Sequence, residues 1–444
     1  GGEERGRKRG GERGRENRAS ERGRESARAS RFDEPRQTPL CNVMRAIPEL
    51  ESALKAYKPT SASEPGAALV LAQRDVLAEL ERGSSVREVM PMRFVSAFRQ
   101  HFPRFAEQGE QGGYAQQDAE ECWSSLISNM ASRVRLPDGP DSNSNLELQP
   151  AAVEGMLQDN AGDVLFGLQI ASTFKCAEEG AEEAPTHTRE SMRRLACHLK
   201  QGCAHLYNAI ELSLEETVDK RSQTLGREAQ YTKSSKISRL PPYLPVQFVR
   251  FAWRADSQKR CKVLKEVSFP EQLDLRNLLA PGLTKRVNAH WRALEAQAVR
   301  EAGASAMEVE GAASSSAPAE AEVFDPADEL PAAVRARDNL TGRYELFAIV
   351  THEGRTAEGG HYVAWVKEAD DEKGVSPGWL VFDDETVARV PADKIKKLHG
   401  GGDYHMAYMC FYRASPKIEE DIKESARRTS RLADKLAEKT EVLK

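Results

Sequence analysis

The chain has 444 residues, with 64 Lys and Arg against 69 Asp and Glu and a formal net charge of -5. That length allows two or three domains, or one large domain with tails, and an apolar share of about 46% with glycine counted excludes wholesale disorder. The balanced charge excludes a field that would by itself recruit nucleic acid or a membrane, and no apolar run approaches the roughly 18 residues of a membrane span.

Residues 1–37 are a Gly/Arg/Glu/Ser tract with one aromatic, Phe32. Such a segment cannot bury enough surface to offset chain entropy and is expected to be a disordered tail. Interleaved acids cancel much of its positive field, so no nucleic-acid partner is expected. From Thr38 the pattern changes. Leu50, Leu54 and Tyr57, then Phe94, Phe98, Phe102 and Phe105, recur at helical spacing, so residues 41–132 read as several packed amphipathic helices. The Phe stripe reads as core. A polar stretch at 136–148 reads as a loop.

Beyond residue 163 the pattern predicts strands over Val164–Phe174 and Val246–Phe251, then a helix over 284–302. Residues 303–331, rich in Ala, Ser, Glu and Pro, read as a flexible insertion. Four strands are expected at Tyr344–Thr351, His361–Lys367, Trp379–Val390 and His405–Tyr412, with separations that suit an antiparallel meander. Residues 416–440 place Ile418, Ile422, Ala426, Thr429, Leu432 and Leu436 on one helical face. The partner of that amphipathic helix is open, and alternating acids and bases around it argue against a membrane.

Gly359-Gly360-His361-Tyr362-Val363 is followed, 22 residues after the His, by Asp383 and Asp384. Two glycines let a backbone approach the imidazole. An Asp on the next strand can hold the ring by its N–H and fix the tautomer for general-base work. A structural His and a turn Asp would give the same pattern. Two more segments narrow the reading: Tyr114-Ala115-Gln116-Gln117-Asp118 opens a helix with an acidic first turn, and Arg239-Leu240-Pro241-Pro242-Tyr243-Leu244-Pro245 leads into a buried strand.

These four boxes, in this order, resemble the ubiquitin-specific proteases, from about Thr38 to Tyr412. Phe105–Gly112, Lys233–Pro241 and Gly400–His405 look like the proteasome-associated branch. The resemblance implies an α+β, papain-like cysteine-peptidase fold with a helical thumb (38–158) and antiparallel β palm and fingers (159–414), followed by a C-terminal helix (415–444). It implies a cytosolic enzyme, present also in the nucleus, that acts on ubiquitin and ubiquitinated proteins, with the proteasome as a candidate partner. His361 would be the base, Asp383 its orienter and Asp384 a supporting acid. Gln117 and Asp118 would hold the extended ubiquitin tail, with Gly359, Gly360 and Tyr362 lining the channel for its terminal Gly-Gly. The loop Glu353–Glu358 corresponds to a blocking loop of the branch, in which a phosphate on Thr356 beside Glu358 would act by repulsion.

The family box that carries the nucleophile, N-x-G-N-T-C-[YF]-[ML]-N, does not occur in this sequence. In the branch, the Cys stands 13 residues before the Pro of P-E-L, a position held here by Pro35. Cys41 lies only seven residues before Pro48, nearly two helical turns too far along, and reads as a packed thiol. The expectation is an inactive, truncated copy of a deubiquitinase, favoured by the lack of an initiator Met and by the abrupt switch from Gly/Arg/Glu repeats to the family match just past the missing box. The branch's ubiquitin-like domain is also missing, which weighs against docking to the proteasome. The alternative is a non-catalytic ubiquitin-binding pseudoenzyme. Seven scattered cysteines suit reduced thiols. Cys122, Cys261 and Cys410 read as core or surface thiols. Cys176, Cys197, His198, Cys203 and His205 do not form two C-x-x-C pairs, so neither a metal site nor a cofactor is expected.

Overall fold

The computed structural model describes residues 38–442 except 60, 62, 82–90, 109–113, 115–116, 138–155, 179, 182, 201, 255–257, 302–329, 357–358, 370–377, 385 and 403–404. The expected disordered tail, the core of the 303–331 insertion and most of the 136–148 loop lie outside these residues.

The described residues of 38–131 are mostly helical, as the periodicity predicts: α1 Thr38–Arg45, α2 Pro48–Ala56, α3 Pro65–Glu81, α4 Met92–His101 and α5 Ala119–Ala131. The Phe stripe is core: Phe94, Phe98 and Phe105 are at most 1% exposed, and the Phe98 and Phe105 ring centroids are 4.7 Å apart. Glu64 caps α3, accepting the Ala67 and Gly66 amides at 2.9 and 3.2 Å, and its carboxylate also pairs with Arg133 just beyond α5. The Arg133 guanidinium holds the Glu64 carboxyl down at about 2. A depressed carboxylate stabilises the fold above its ordinary value and stops doing so as pH falls through its folded value. The Tm of Glu64→Gln should therefore fall less steeply than that of the wild type between pH 4.5 and 2. Glu64 is 44% exposed, so the difference should be small and shrink with salt.

The expected strand Val164–Phe174 is two elements, α6 Ala161–Phe166 and β1 Leu168–Cys176. Asn160 Oδ1 accepts the Asp163 amide at 2.7 Å, and the Asp163 carboxylate returns to Asn160 Nδ2 at 2.8 Å. This reciprocal cap starts a helix inside an apolar run. After β1 come β2 Thr186–Met192, β3 Leu195–His198, α7 Leu206–Ser213, β4 Glu215–Arg221 and β5 Glu228–Arg239. Strands β2-β1-β5-β4 form the antiparallel finger sheet.

The palm follows: β6 Tyr243–Val249, the hairpin β7 Phe251–Arg254 and β8 Lys259–Lys262, β9 Gln272–Asp274, α8 Pro281–Glu301, α9 Ala332–Arg335, β10 Arg343–Glu353, β11 His361–Lys367, β12 Trp379–Asp383, β13 Thr386–Val390 and β14 Met406–Arg413. Its strand order is β13-β12-β11-β10-β14-β6-β3, with β9 also on β10. The expected single strand Trp379–Val390 is a hairpin. Asp383 pairs with Thr386, and Asp384 takes a left-handed φ of +50° to make the turn. Asp tolerates that conformation because its short side chain bonds locally.

Helix α10, Pro416–Val442, has a partner that the sequence left open. Ile418 and Ile422 pack against Leu294 and Trp291 of α8, and Arg427 pairs with Glu301. Among the described residues, no helix is long and apolar enough to cross a membrane. The result is an α+β, papain-like arrangement, with a helical thumb against the β palm and fingers.

Candidate active site

Register brings the predicted pair together. Ala364 faces Phe382 across β11 and β12, so Asp383 lies opposite Val363 and diagonal to His361 on the same face. His361 Nε2 donates to Asp383 Oδ1 at 2.6 Å, and Asp384 Oδ2 lies 3.8 Å from the same nitrogen. A carboxylate only accepts, so this contact puts the ring proton on Nε2 and leaves the Nδ1 lone pair as the base. The His361 side chain is 30% exposed and Asp383 47%, which leaves the pair open to a substrate. The left-handed turn returns the exposed Asp384 carboxylate toward the imidazole.

The approach to His361 depends on glycine. Gly360 has φ +150°, and a Cβ there would lie 2.3 Å from Glu353 O and 2.4 Å from the His352 ring. Gly359 has open space beside it apart from Thr356 Oγ1. Tyr362 does not line a channel as expected: it is 3% exposed, and its ring packs between His352 and Tyr408. The alternation of β11 turns it to the face opposite His361. Thr356 is exposed and pairs with Cys261 of the β7–β8 hairpin; Glu358 lies outside the described residues.

Asp118 is the N-cap of α5, accepting the Glu120 and Glu121 amides at 2.8 and 3.4 Å. Tyr408 Oη donates to its carboxylate at 2.7 Å and accepts from Gln247 Nε2 at 3.0 Å. Burial and the adjacent carboxylate push the Tyr408 phenol well up, so it remains a donor. The motif at Asp118 gave no hint of Tyr408 and Gln247, which tie thumb to palm from inside apolar strands. Gln117, half-buried, precedes the cap. A cleft of about 290 Å³ runs beside Asp118, lined by Glu121, Arg194, Phe251, Arg260 and Tyr408 among others. Glu120 and Arg194 pair across it.

Cys41 is 1% exposed within α1, and burial pushes its thiol up to about 12. It is packed and protonated, as expected of a core thiol. Helix α1 itself packs against β11, the strand that carries His361. Cys197 and Cys203 are fully buried, and burial raises the Cys197 thiol. Among the described residues, His361, Asp383 and Asp384 are the group that brings three metal-ligand donors together, within 4.8 Å. A cation there would compete with Asp383 for Nε2, and the observed hydrogen bond is that of a base and its orienter. Chemically, the arrangement can take a proton at Nδ1 and stabilise the imidazolium that results.

Residues 40–412 match a family model described as ubiquitin carboxyl-terminal hydrolase. The chain is 33% identical over 386 residues to ubiquitin carboxyl-terminal hydrolase 6 of Arabidopsis thaliana, covering 84% of this chain and 74% of that protein. It is 34% identical over 390 residues to ubiquitin carboxyl-terminal hydrolase 6 of Schizosaccharomyces pombe, with the same coverage. It is 32% identical over 332 residues to ubiquitin carboxyl-terminal hydrolase 14 of Caenorhabditis elegans, covering 73% of this chain and 59% of that protein.

Proposed function

Because the chain belongs to the ubiquitin carboxyl-terminal hydrolase family, we propose that it carries the base half of a thiol-dependent deubiquitinase site. The reaction is hydrolysis of the isopeptide bond at the C-terminal glycine of ubiquitin. The hydrogen bond from His361 to Asp383 carries the reading. In that reaction His361 Nδ1 takes the thiol proton as sulfur attacks the glycine carbonyl, then gives it to the departing lysine amine. Water, deprotonated by the same nitrogen, cleaves the thioester. Asp118 and the cleft beside it seat the ubiquitin tail.

The buried, protonated Cys41 favours a second reading for the chain as it stands: a ubiquitin-binding protein that does not turn over. The proteasome as partner, and a cytosolic and nuclear location, belong to the same proposal. Their support is the resemblance of Phe105–Gly112, Lys233–Pro241 and Gly400–His405 to the proteasome-associated branch, together with seven cysteines that form no disulfide.

Both readings require the tail seat. Titration with labelled ubiquitin should give weak saturable binding, and Asp118→Lys should weaken it about tenfold or more by reversing the charge at the seat. A folded chain with no binding at millimolar ubiquitin would remove the basis of both.

A further inference from the structure

Lys262, the last residue of β8, is 8% exposed. Its Nζ donates to His352 Nδ1 at 2.6 Å, His352 O at 3.1 Å and Gly354 O at 2.5 Å. All three acceptors are uncharged, an expensive setting for an ammonium. His352 is 1% exposed, with its ring held edge-on between Phe251 and Tyr362 at 5.2 and 4.8 Å. The Cε1–Nε2 edge of that ring is where a Cβ on Gly360 would fall, 2.4 Å away. The next residue is His361. Gly354, at φ +105°, opens the turn that Gly360 closes.

We propose that Lys262 is a positioning residue for the His361–Asp383 pair, acting through His352 and the two ends of the turn, Gly354 and Gly360. One ammonium fixes both ends of that turn: it pins Gly354 directly and orients the imidazole on which Gly360 rests. A shift of that ring moves Gly360, and with it the first residue of β11. Lys262 touches neither His361 nor Asp383. The Cys261–Thr356 bridge adds a second tie between the same hairpin and the same turn. The inference deepens the reading of His361 as a base and rests on it.

A charge effect on the turn supports this geometry. Burial, with Arg250 nearby, lowers Lys262 to about 8 against the opposing pull of Glu353. The other titratable ring facing it is His352, with His405 further off. An ammonium has three N–H donors for three acceptors and a neutral amine only two. Raising the pH through about 8 therefore either releases one contact or makes the imidazole the donor at Nδ1, and each outcome changes the ring on which Gly360 rests.

The test is proton NMR of the full chain, following the downfield imidazole N–H that bonds Asp383, assigned by its loss in His361→Ala. The wild type should show the resonance, and its shift should inflect near pH 8. In Lys262→Met, which keeps the stem and loses the donors, the resonance should broaden away. A merely structural lysine would lower Tm and leave the resonance in place. A resonance unchanged in Lys262→Met and flat across pH 8 overturns the positioning role while the base and its orienter stand. No resonance in the wild type overturns the pair itself and everything built on it. Should Lys262→Met fail to fold, the wild-type titration decides alone.

Discussion

A chain given a family N-x-G-N-T-C-Y-M-N-A segment, with its thiol at the position of Pro35, is expected to react with a ubiquitin C-terminal electrophile and to cleave a fluorogenic ubiquitin amide. The graft would put sulfur just ahead of α1, whose first described residue is Thr38 and which packs against β11. There the helix N-terminus lowers a thiol's pKa and favours the thiolate, whereas Cys41 inside the helix is pushed up to about 12. In that background His361→Ala should cost on the order of 10^4-fold or more in kcat/KM, as loss of a triad base does. Asp383→Ala should cost about 10^2- to 10^4-fold, because it leaves the base present and loses its tautomer and orientation. The unmodified chain should give no labelling. Labelling of the unmodified chain that Cys41→Ser abolishes would place the nucleophile inside α1 and defeat this account.

Asp338→Ala should lower unfolding free energy by about 3–5 kcal/mol, the usual consequence of stranding one member of a buried ion pair. Arg239 and Asp338 are both fully buried at the side chain and meet at 2.8 Å, with Arg286 also bonding Asp338 at 2.6 Å. The Arg239 guanidinium further donates to the carbonyls of Asp163, Val164 and Gly167 from the thumb boundary and of Val334 from the palm side. The substitution therefore leaves a cation in place with only dipoles to hold it. Urea denaturation checks this: the midpoint should fall with the m-value unchanged. A loss below about 1 kcal/mol would mean that the carbonyls alone satisfy the charge.

The sequence was most legible where chemistry and register coincide. Gly360, His361 and Asp383 are local signals, and the two strands that carry them are short and strongly apolar. Boundaries failed where a polar side chain overrode an apolar run, as at Asn160, or where one residue reversed the chain, as at Asp384. Tyr362 was misread because its box places it next to the His, while strand alternation turns it inward. Tyr408, Gln247, Lys262 and His352 were invisible for another reason. Each is a polar residue within or beside a strand, and its partner lies up to 290 residues away. Only three-dimensional pairing reveals a lysine that meets an imidazole 90 positions later.

The palm's strand order also governs how the molecule can be made. Strand β14 lies between β10 and β6, with Cys410 opposite Val246. When a ribosome has released β6 and β10, the strand that joins them has yet to emerge. Both then present open backbone edges of the kind that recruit other chains, and loop closure over so long a separation is slow. The thumb can collect its helices early, but the palm can close only after residue 413. Nascent chains of this protein therefore expose both edges until the last strand emerges, and a premature stop before Met406 would leave them open and prone to pairing with other chains.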